Sequence, residues 1–380
     1  MRILIAGGGS GGHILPALAV VRSLRERRTD VDPLWVGGHR GLEASLVPGA
    51  HIPLTRLWLR SLRTVDRSLS TFLDPLRLAG SVPQALLLLA RWQPRAVFTT
   101  GGYVAIPVLL AARLLRVPSL LWEGNLVPGR SVRATAGLAS AIAVSFEATG
   151  RALPGPCYVT GTPTRPLAGL DGAAARERLG IETSERVVLV FGGSQAVRRF
   201  DDAVDAALPS LVQRATVIHV TGEAGYGAAL RRREALPEDR RQRYRPYAFL
   251  REEMADALVA ADLVVGRAGS STLAEVTALG LPMVVVPYPH AGGHQRANAR
   301  TLGEAGAAIV IEDAAFDGDA LLAAASVLDD AARLAAMGAA SRSLGRRGAA
   351  DANAELLLAL AERRPLPGDE VIAAIARGAA

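Results

Sequence analysis

Small hydroxyl residues between a glycine and a carboxylate are the clearest chemical signal in the C-terminal half of the sequence. Gly269 precedes Ser270, Ser271 and Thr272, and Glu275 follows at helical spacing. A helix that begins at these hydroxyl residues would direct free N–H groups at an anion, which the helix dipole also favours. Glu275 would accept hydrogen bonds from the vicinal hydroxyls of a ribose. The pattern fits a nucleotide site, and the same spacing, Thr272-x-x-Glu275, fits a capping box equally well.

A second group of candidate residues lies at the N-terminus. Gly7, Gly9 and Gly12 fit the G-x-G-x-x-G dinucleotide pattern between an apolar run and a helical pattern. A dinucleotide site would also need an acidic residue at the end of the second strand. Residues 37–38, at that place, are both glycine, which argues against a dehydrogenase. His13 follows the loop and is a candidate general base towards a sugar hydroxyl, because imidazole titrates near neutrality; the alternative is a histidine that packs or caps the helix.

Short apolar runs that alternate with helical patterns indicate the elements that position these residues. Several runs end in glycine turns or polar loops, as before Tyr103 and around Asn125. Ligands of open parallel sheets bind at the carboxyl ends of strands, where these residues fall. Residues 153–166 contain four prolines and two glycines, which is typical of a linker, and the strand, glycine-loop and helix succession begins again at residue 187. We therefore predict an α/β protein of two doubly wound, Rossmann-like domains that face a cleft.

The amino-acid composition limits the catalytic residues and the partners that this chain can have. The 380 residues include 43 Lys plus Arg against 36 Asp plus Glu, and every one of the 43 is arginine, so a catalytic lysine is excluded. The net charge of +7 favours anionic partners such as nucleotide sugars or acidic membrane surfaces. Cys157 is the only cysteine, which excludes a disulfide framework and favours a reducing compartment.

The sequence predicts neither a membrane span nor a metal site. No stretch of 18 apolar residues and no signal peptide is present, so we expect no membrane span. Two Asp-x-Asp patterns, at residues 30–32 and 317–319, fall in turns or at helix starts, and we expect capping residues and no metal site. Residues 54–67 interleave leucine and tryptophan with arginine, and residues 69–91 continue as a leucine-rich helix interrupted by prolines. This segment either lies on an anionic bilayer surface or packs on its sheet.

Six motifs taken in order connect the chain to a known family: GGGSGGHILPALA, GGYVAIP, EGNLVPG, GTPTR, FGGSQ and RAGSSTLAE followed by GLPMVVVPYPHAGGHQRANA. Together they resemble the MurG-type N-acetylglucosaminyltransferases over residues 1–362. The resemblance implies a GT-B fold and an inverting transfer from UDP-N-acetylglucosamine to undecaprenyl-diphosphoryl-N-acetylmuramoyl-pentapeptide, which makes lipid II for peptidoglycan. It implies a peripheral protein on the cytoplasmic face of the bacterial cell membrane, with no cofactor, no metal and no nucleic-acid partner.

The resemblance also implies domain boundaries and residue roles. An acceptor and membrane-associating domain would span residues 1–163, with a helix at about 345–363 packing back on it, a donor domain would span 164–344, and 364–380 would form a tail with a short helix. His13 would be the base, and Gly9, Tyr103 and Glu123 would lie on the acceptor side. Ser10, Gly11, Gly12 and Asn125 would belong to the donor-binding residues and would line the cleft beside the acceptor diphosphate. The other donor-binding residues would be Arg165, Ser194, Leu250, Gly269, Ser270, Ser271, Thr272, Leu273, Glu275, His294 and Gln295.

The chain departs from the family pattern at three places. Trp122 and Gly124 stand where the family usually has His and Gln, and Ala196 stands where it has Gly. The first two fall on the expected acceptor side. Two alternatives therefore stay open: a UDP-sugar glycosyltransferase with another lipid acceptor, and a non-catalytic UDP-sugar-binding accessory subunit.

Overall fold

The computed structural model describes residues 1–39, 41–59, 74–167, 169–193, 198–250, 253–291 and 293–378. The chain divides into two compact units. Unit 1 contains Met1–Pro166 and Arg346–Ala380, and unit 2 contains Leu167–Gly345. Each unit has its own parallel sheet with helices packed around its own apolar core.

Seven parallel strands form the sheet of unit 1, in the order β3-β2-β1-β4-β5-β6-β7. Most residues of the central strands are apolar and buried, as expected for a sheet with helices on both faces, whereas no residue of the edge strand β3 is buried. The order reverses between β1 and β4, and such a reversal opens a crevice for ligands at the carboxyl ends of the strands. The strands are β1 Arg2–Ala6, β2 Asp32–Gly37, β3 Leu54–Arg56, β4 Ala96–Thr99, β5 Ser119–Glu123, β6 Ala141–Val144 and β7 Cys157–Val159.

The sheet of unit 2 has six parallel strands in the order β10-β9-β8-β11-β12-β13. Here the order reverses between β8 and β11, which gives unit 2 its own crevice of the same kind. The strands are β8 Val187–Phe191, β9 Thr216–Val220, β10 Tyr244–Tyr247, β11 Leu263–Gly266, β12 Met283–Val285 and β13 Ala308–Val310.

Helices connect successive strands and cover both sheets. Those that precede β8 are α1 Gly11–Arg27, α2 Glu43–Gly49, α3 Asp74–Trp92, α4 Gly102–Leu114, α5 Arg130–Thr135, α6 Glu147–Arg151 and α7 Gly172–Leu179. Those that follow β8 are α8 Arg198–Arg214, α9 Gly222–Ala235, α10 Glu238–Arg241, α11 Glu253–Ala260, α12 Ser270–Leu279, α13 His294–Glu304, α14 Gly318–Ala325, α15 Ala331–Leu344, α16 Ala349–Glu362 and α17 Asp369–Arg377.

Helix α3 differs from the interrupted helix that the prolines suggested. It runs without a break through Pro83, while residues 69–73 of the predicted helix lie outside the described residues. Pro83 removes one N–H from the helix, so the carbonyl of Ala79 loses its partner. Both residues lie on the exposed face, where water can hydrate that carbonyl.

The last two helices return to unit 1. Helix α16 packs on α1, and the Asn353 amide donates to Thr160 Oγ1 at 2.9 Å. Helix α17 packs on α16 and buries Ile372 and Ala376 in the same core. The segment at residues 364–380, expected as a tail, therefore contributes to the folded unit, because its apolar residues recur on one helical face.

Candidate functional site

The glycine loop of unit 1 lies at the reversal between β1 and β4. Helix α1 begins at Gly11, with Ser10 as an extended N-cap whose side chain makes no capping hydrogen bond. The first N–H groups of a helix have no partner within it, so Gly11 and Gly12 present N–H groups suited to an anion. Gly9 has φ +93°, a conformation that favours glycine. The predicted Ser10, Gly11 and Gly12 therefore form one N–H-rich turn at the sheet edge.

His13 is fixed by two hydrogen bonds to a single residue after β4. Its Nδ1 lies 2.7 Å from the Thr100 carbonyl oxygen, and Thr100 Oγ1 donates to the His13 carbonyl at 2.9 Å. A carbonyl oxygen only accepts, so Nδ1 must carry the proton in the neutral ring. The lone pair is then on Nε2. The half-buried imidazole thus has the tautomer of a general base, fixed by backbone.

Two of the predicted acceptor-side residues interact with a carboxylate that the sequence analysis missed. Gly9 N–H donates to Glu43 Oε2 at 2.9 Å, and the Tyr103 hydroxyl lies 3.4 Å from Glu43 Oε1. Burial, followed by the negative charge of Glu43, raises the pKa of Tyr103 well above its usual range, so its phenol stays protonated. The Gly9 N–H is therefore hydrogen-bonded to Glu43 and is not directed at a ligand.

Glu123 organises the loop after β5. It is buried, and its oxygens accept from Asn125 N–H at 2.9 Å, Asn125 Nδ2 at 3.0 Å and Gly129 N–H at 2.8 Å. The carboxylate thus fixes the position of Asn125, and the place of Glu123 on the acceptor side stays a prediction. Trp122 is also buried, and its indole donates to the Gly161 carbonyl at 3.0 Å. This departure from the family pattern therefore changes the core beneath the loop.

In unit 2, the turn after β11 opens helix α12. Helix α12 begins at Ser270, with Gly269 as an extended N-cap. Thr272 is thus the third helical residue and Glu275 lies one turn further on, so the capping-box alternative is wrong for this helix. Ser270 and Thr272 are partly exposed. Ser271 Oγ is buried and has no hydrogen-bond partner among the described residues, so the expected contact of its hydroxyl with the diphosphate stays a prediction.

The remaining donor-site candidates differ in the groups that they can present to a ligand. Glu275 is 8% exposed, and Leu250 and Leu273 are buried in the core, so each leucine can meet a ligand only through its backbone. Gln295 Oε1 accepts from Tyr288 N–H at 2.9 Å, which orients its amide, and His294 begins helix α13 beside it. Ser194 lies outside the described residues. Arg165 lies in unit 1, within the proline-rich segment at residues 153–166, and is half-buried.

Arg267, which the sequence analysis did not single out, precedes the turn at Gly269 and is buried. Its guanidinium lies 4.9 Å from the ring centroid of Phe200 and 5.4 Å from that of Tyr288. It donates to Asp313 Oδ1 at 2.6 Å and to the Val286 carbonyl at 3.2 Å. From the sequence alone, an arginine beside a glycine turn would be taken as a ligand contact. The fold shows that Arg267 is only 5% exposed and connects the loops that follow β12 and β13.

In the part of the chain that the structure describes, no three His, Cys, Asp or Glu side chains converge as a metal site would require. Asp317 caps α14 by accepting from Ala320 N–H at 2.9 Å, as predicted for a capping residue. None of the described helices is both long and apolar enough to cross a bilayer.

Comparisons with known proteins agree in both units. Residues 3–144 match the glycosyltransferase family 28 N-terminal domain, and residues 187–355 match the glycosyltransferase family 28 C-terminal domain. A protein of Desulforudis audaxviator is 39% identical over 372 residues, which cover 95% of this chain and 99% of that protein. A protein of Moorella thermoacetica is 38% identical, with 95% and 100% covered. Both are named UDP-N-acetylglucosamine–N-acetylmuramyl-(pentapeptide) pyrophosphoryl-undecaprenol N-acetylglucosamine transferase.

Solved structures confirm the fold. Acinetobacter baumannii MurG superposes with a TM-score of 0.75 at 27% identity, covering 94% of this chain and 99% of that one. UDP-glucose:anthocyanidin 3-O-glucosyltransferase in complex with UDP gives a TM-score of 0.67 at 15% identity and covers 95% of this chain and 99% of that one. The predicted GT-B fold is thus confirmed.

Proposed function

Because the chain belongs to glycosyltransferase family 28, we propose that it transfers N-acetylglucosamine from UDP-N-acetylglucosamine to undecaprenyl-diphosphoryl-N-acetylmuramoyl-pentapeptide. The product is lipid II, the precursor of peptidoglycan. The observation that carries the proposal is the match to the named transferases over about 95% of the chain, which includes both sheets. The fold agrees with this activity, since each unit has its own crevice at a strand-order reversal.

The base of the reaction is assigned to His13. Its Nε2 would take the proton from the acceptor hydroxyl, and that oxygen would attack the anomeric carbon of N-acetylglucosamine as the bond to UDP breaks. Attack opposite the leaving group inverts the configuration. A positioned general base contributes about 10²–10⁴-fold to rate.

The leaving group is assigned to unit 2. The first N–H groups of α12, at Ser270 and Ser271, would bind the diphosphate, and Glu275 would accept from the ribose hydroxyls. Each preorganised hydrogen-bond donor of this kind lowers the activation free energy by about 3 kcal/mol, because it stabilises the charge that develops on the leaving group. Arg165 would add a positive charge.

An apolar surface on unit 1 supports an anionic membrane as partner. Helix α3 exposes Leu76, Pro83 and Leu87 on one face, with Leu76 66% and Leu87 50% exposed. Trp58, 53% exposed, lies over Gly80 of the same helix. Arg91 continues this face at its end. Apolar side chains beside arginine suit the boundary between acyl chains and phosphates, and would bring the protein to a lipid-linked acceptor.

An acceptor panel tests the assigned reaction. Purified protein would be incubated with UDP-N-acetylglucosamine and either a short-chain polyprenyl-diphosphoryl-N-acetylmuramoyl-pentapeptide or a glycerolipid, and the products weighed by mass spectrometry. We expect one added N-acetylhexosamine on the muramoyl acceptor alone. Addition to the glycerolipid alone would support a different lipid glycosyltransferase, and addition to neither would support a binding subunit.

A further inference from the structure

One buried carboxylate joins three loops at the carboxyl edge of the first sheet. Glu43, the first residue of α2, is 0% exposed. Its Oε2 accepts from Gly9 N–H at 2.9 Å, and its Oε1 accepts from Gly38 N–H at 3.1 Å. The hydroxyl of Tyr103 also faces Oε1, at 3.4 Å. These three donors follow β1, β2 and β4, which are neighbours in the sheet, so a single side chain connects the loops on both sides of the strand-order reversal.

The glycines around Glu43 make room for its side chain. A Cβ at Gly8 would lie 2.7 Å from Glu43 Oε1, and a Cβ at Gly37 would lie 2.9 Å from Glu43 Cγ. Both distances are shorter than van der Waals contact, so a larger residue at either position would displace the carboxylate. Part of the glycine-rich character of these loops thus serves Glu43.

The donors match an ionised carboxylate, which only accepts hydrogen bonds. Two are backbone N–H groups, and the third is the phenol of Tyr103, whose pKa burial raises. Charge-assisted hydrogen bonds are about twice as strong as neutral ones. The glycine loop is therefore held by strong bonds before any ligand binds.

We propose that Glu43 is a positioning residue for the acceptor. By holding Gly9, Glu43 fixes the start of α1. The N–H groups of Gly11 and Gly12 and the backbone of His13 are thereby held in place. This inference rests on the proposed function and on the expectation that residues 10–12 lie beside the acceptor diphosphate. The negative charge of Glu43 by itself would repel a diphosphate. Positioning and repulsion thus predict opposite effects of removing the charge.

The variant Glu43→Gln separates these effects. A glutamine keeps the shape and one oxygen, but places an NH₂ group against the N–H of either Gly9 or Gly38. We expect kcat/KM for the lipid-linked acceptor to fall about tenfold or more, the factor for one charge-assisted hydrogen bond, mostly through a higher acceptor KM. The KM for UDP-N-acetylglucosamine, assigned to unit 2, should stay within about twofold. A merely structural role would lower kcat through loss of active protein and leave both KM values unchanged.

A second variant covers the case in which Glu43→Gln fails to fold. Gly8→Ala keeps the charge and pushes the carboxylate away with a Cβ, and should also raise the acceptor KM. Gly49→Ala is the matched control, because Gly49 ends the same helix and a Cβ there meets nothing within 4 Å. It should leave both KM values unchanged.

The outcomes are distinct. A raised acceptor KM in Glu43→Gln or Gly8→Ala, with the donor KM unchanged, supports positioning. An unchanged or lower acceptor KM in the folded variants overturns it. Acceptor-dependent UDP release by the unsubstituted protein is measured first. If the unsubstituted protein shows no such release, the proposed function is refuted.

Discussion

His13 receives its assigned role from one backbone contact. The Thr100 carbonyl fixes the proton on Nδ1 and leaves the lone pair on Nε2. Thr100 directly follows β4 and lies 87 residues from His13 along the chain. The sequence could not show this pairing, because the tautomer depends on a strand that only the fold brings beside the loop.

Replacement of His13 should separate binding from turnover. We expect His13→Ala to lower the rate of transfer by about 10²–10⁴-fold, the contribution of a general base. The dissociation constant for UDP, measured by calorimetry, should stay unchanged because the nucleotide is assigned to unit 2. His51→Asn, at an exposed histidine of unit 1 with φ +54°, is the control and should retain full rate. Full rate in His13→Ala would refute the assignment.

Ser271 provides a test of stability at the same scale. Its hydroxyl is buried without a partner in the described part of the chain, and such a group costs about 1–3 kcal/mol. Ser271→Ala should therefore leave the free energy of unfolding of unit 2 unchanged or raise it by about 1 kcal/mol in urea titrations. Ser23→Ala should lower that of unit 1, because Ser23 donates to Asp351 Oδ1 at 2.6 Å. A clear loss of stability in Ser271→Ala would show that the buried hydroxyl does have a hydrogen-bond partner, and would contradict this prediction.

At the scale of elements, the exposed face of α3 predicts membrane binding. Leu87→Asp should weaken binding to vesicles that contain phosphatidylglycerol by about tenfold to a hundredfold, since it removes the contribution of about 1.5–3 kcal/mol that a leucine makes when the membrane buries it. Val371→Asp, at an apolar residue of α17 that is 53% exposed, is the control and should bind as before. Equal binding of both variants in a vesicle sedimentation assay would exclude α3 as the contact.

The terminal helix gives a second prediction at this scale. Ile372 is 1% exposed and packs in the core of unit 1, whereas the neighbouring Val371 faces solvent. Ile372→Ala should lower the free energy of unfolding of unit 1 by about 2–5 kcal/mol. Val371→Ala should change it by less than about 0.5 kcal/mol. Similar values for both variants in urea unfolding would contradict the packing of α17.

Strand positions were predictable from sequence because each apolar run between glycine turns has to be buried on both faces. Helix α3 was only partly predictable, since Pro83 breaks a helix in general but is accepted where water hydrates the carbonyl it leaves unpaired. Glu43 was missed for a similar reason. A glutamate at a helix start is usually a solvated first-turn residue, and only the fold encloses this one between two glycine loops.

At the scale of the whole molecule, the two units divide the assigned tasks. Unit 1 contains His13, the Glu43-held loop and the exposed face of α3, and unit 2 contains the turn at Ser270 and Glu275. Family membership extends over both units, with matches to residues 3–144 and 187–355. The positive net charge suits an anionic donor and an anionic lipid acceptor alike.

The most direct test of this account is UDP release by the purified protein from UDP-N-acetylglucosamine, with and without the short-chain polyprenyl-diphosphoryl-N-acetylmuramoyl-pentapeptide. The account predicts release that depends on this acceptor, because the proton taken by His13 belongs to the acceptor hydroxyl. Binding of UDP-N-acetylglucosamine without acceptor-dependent release would contradict it.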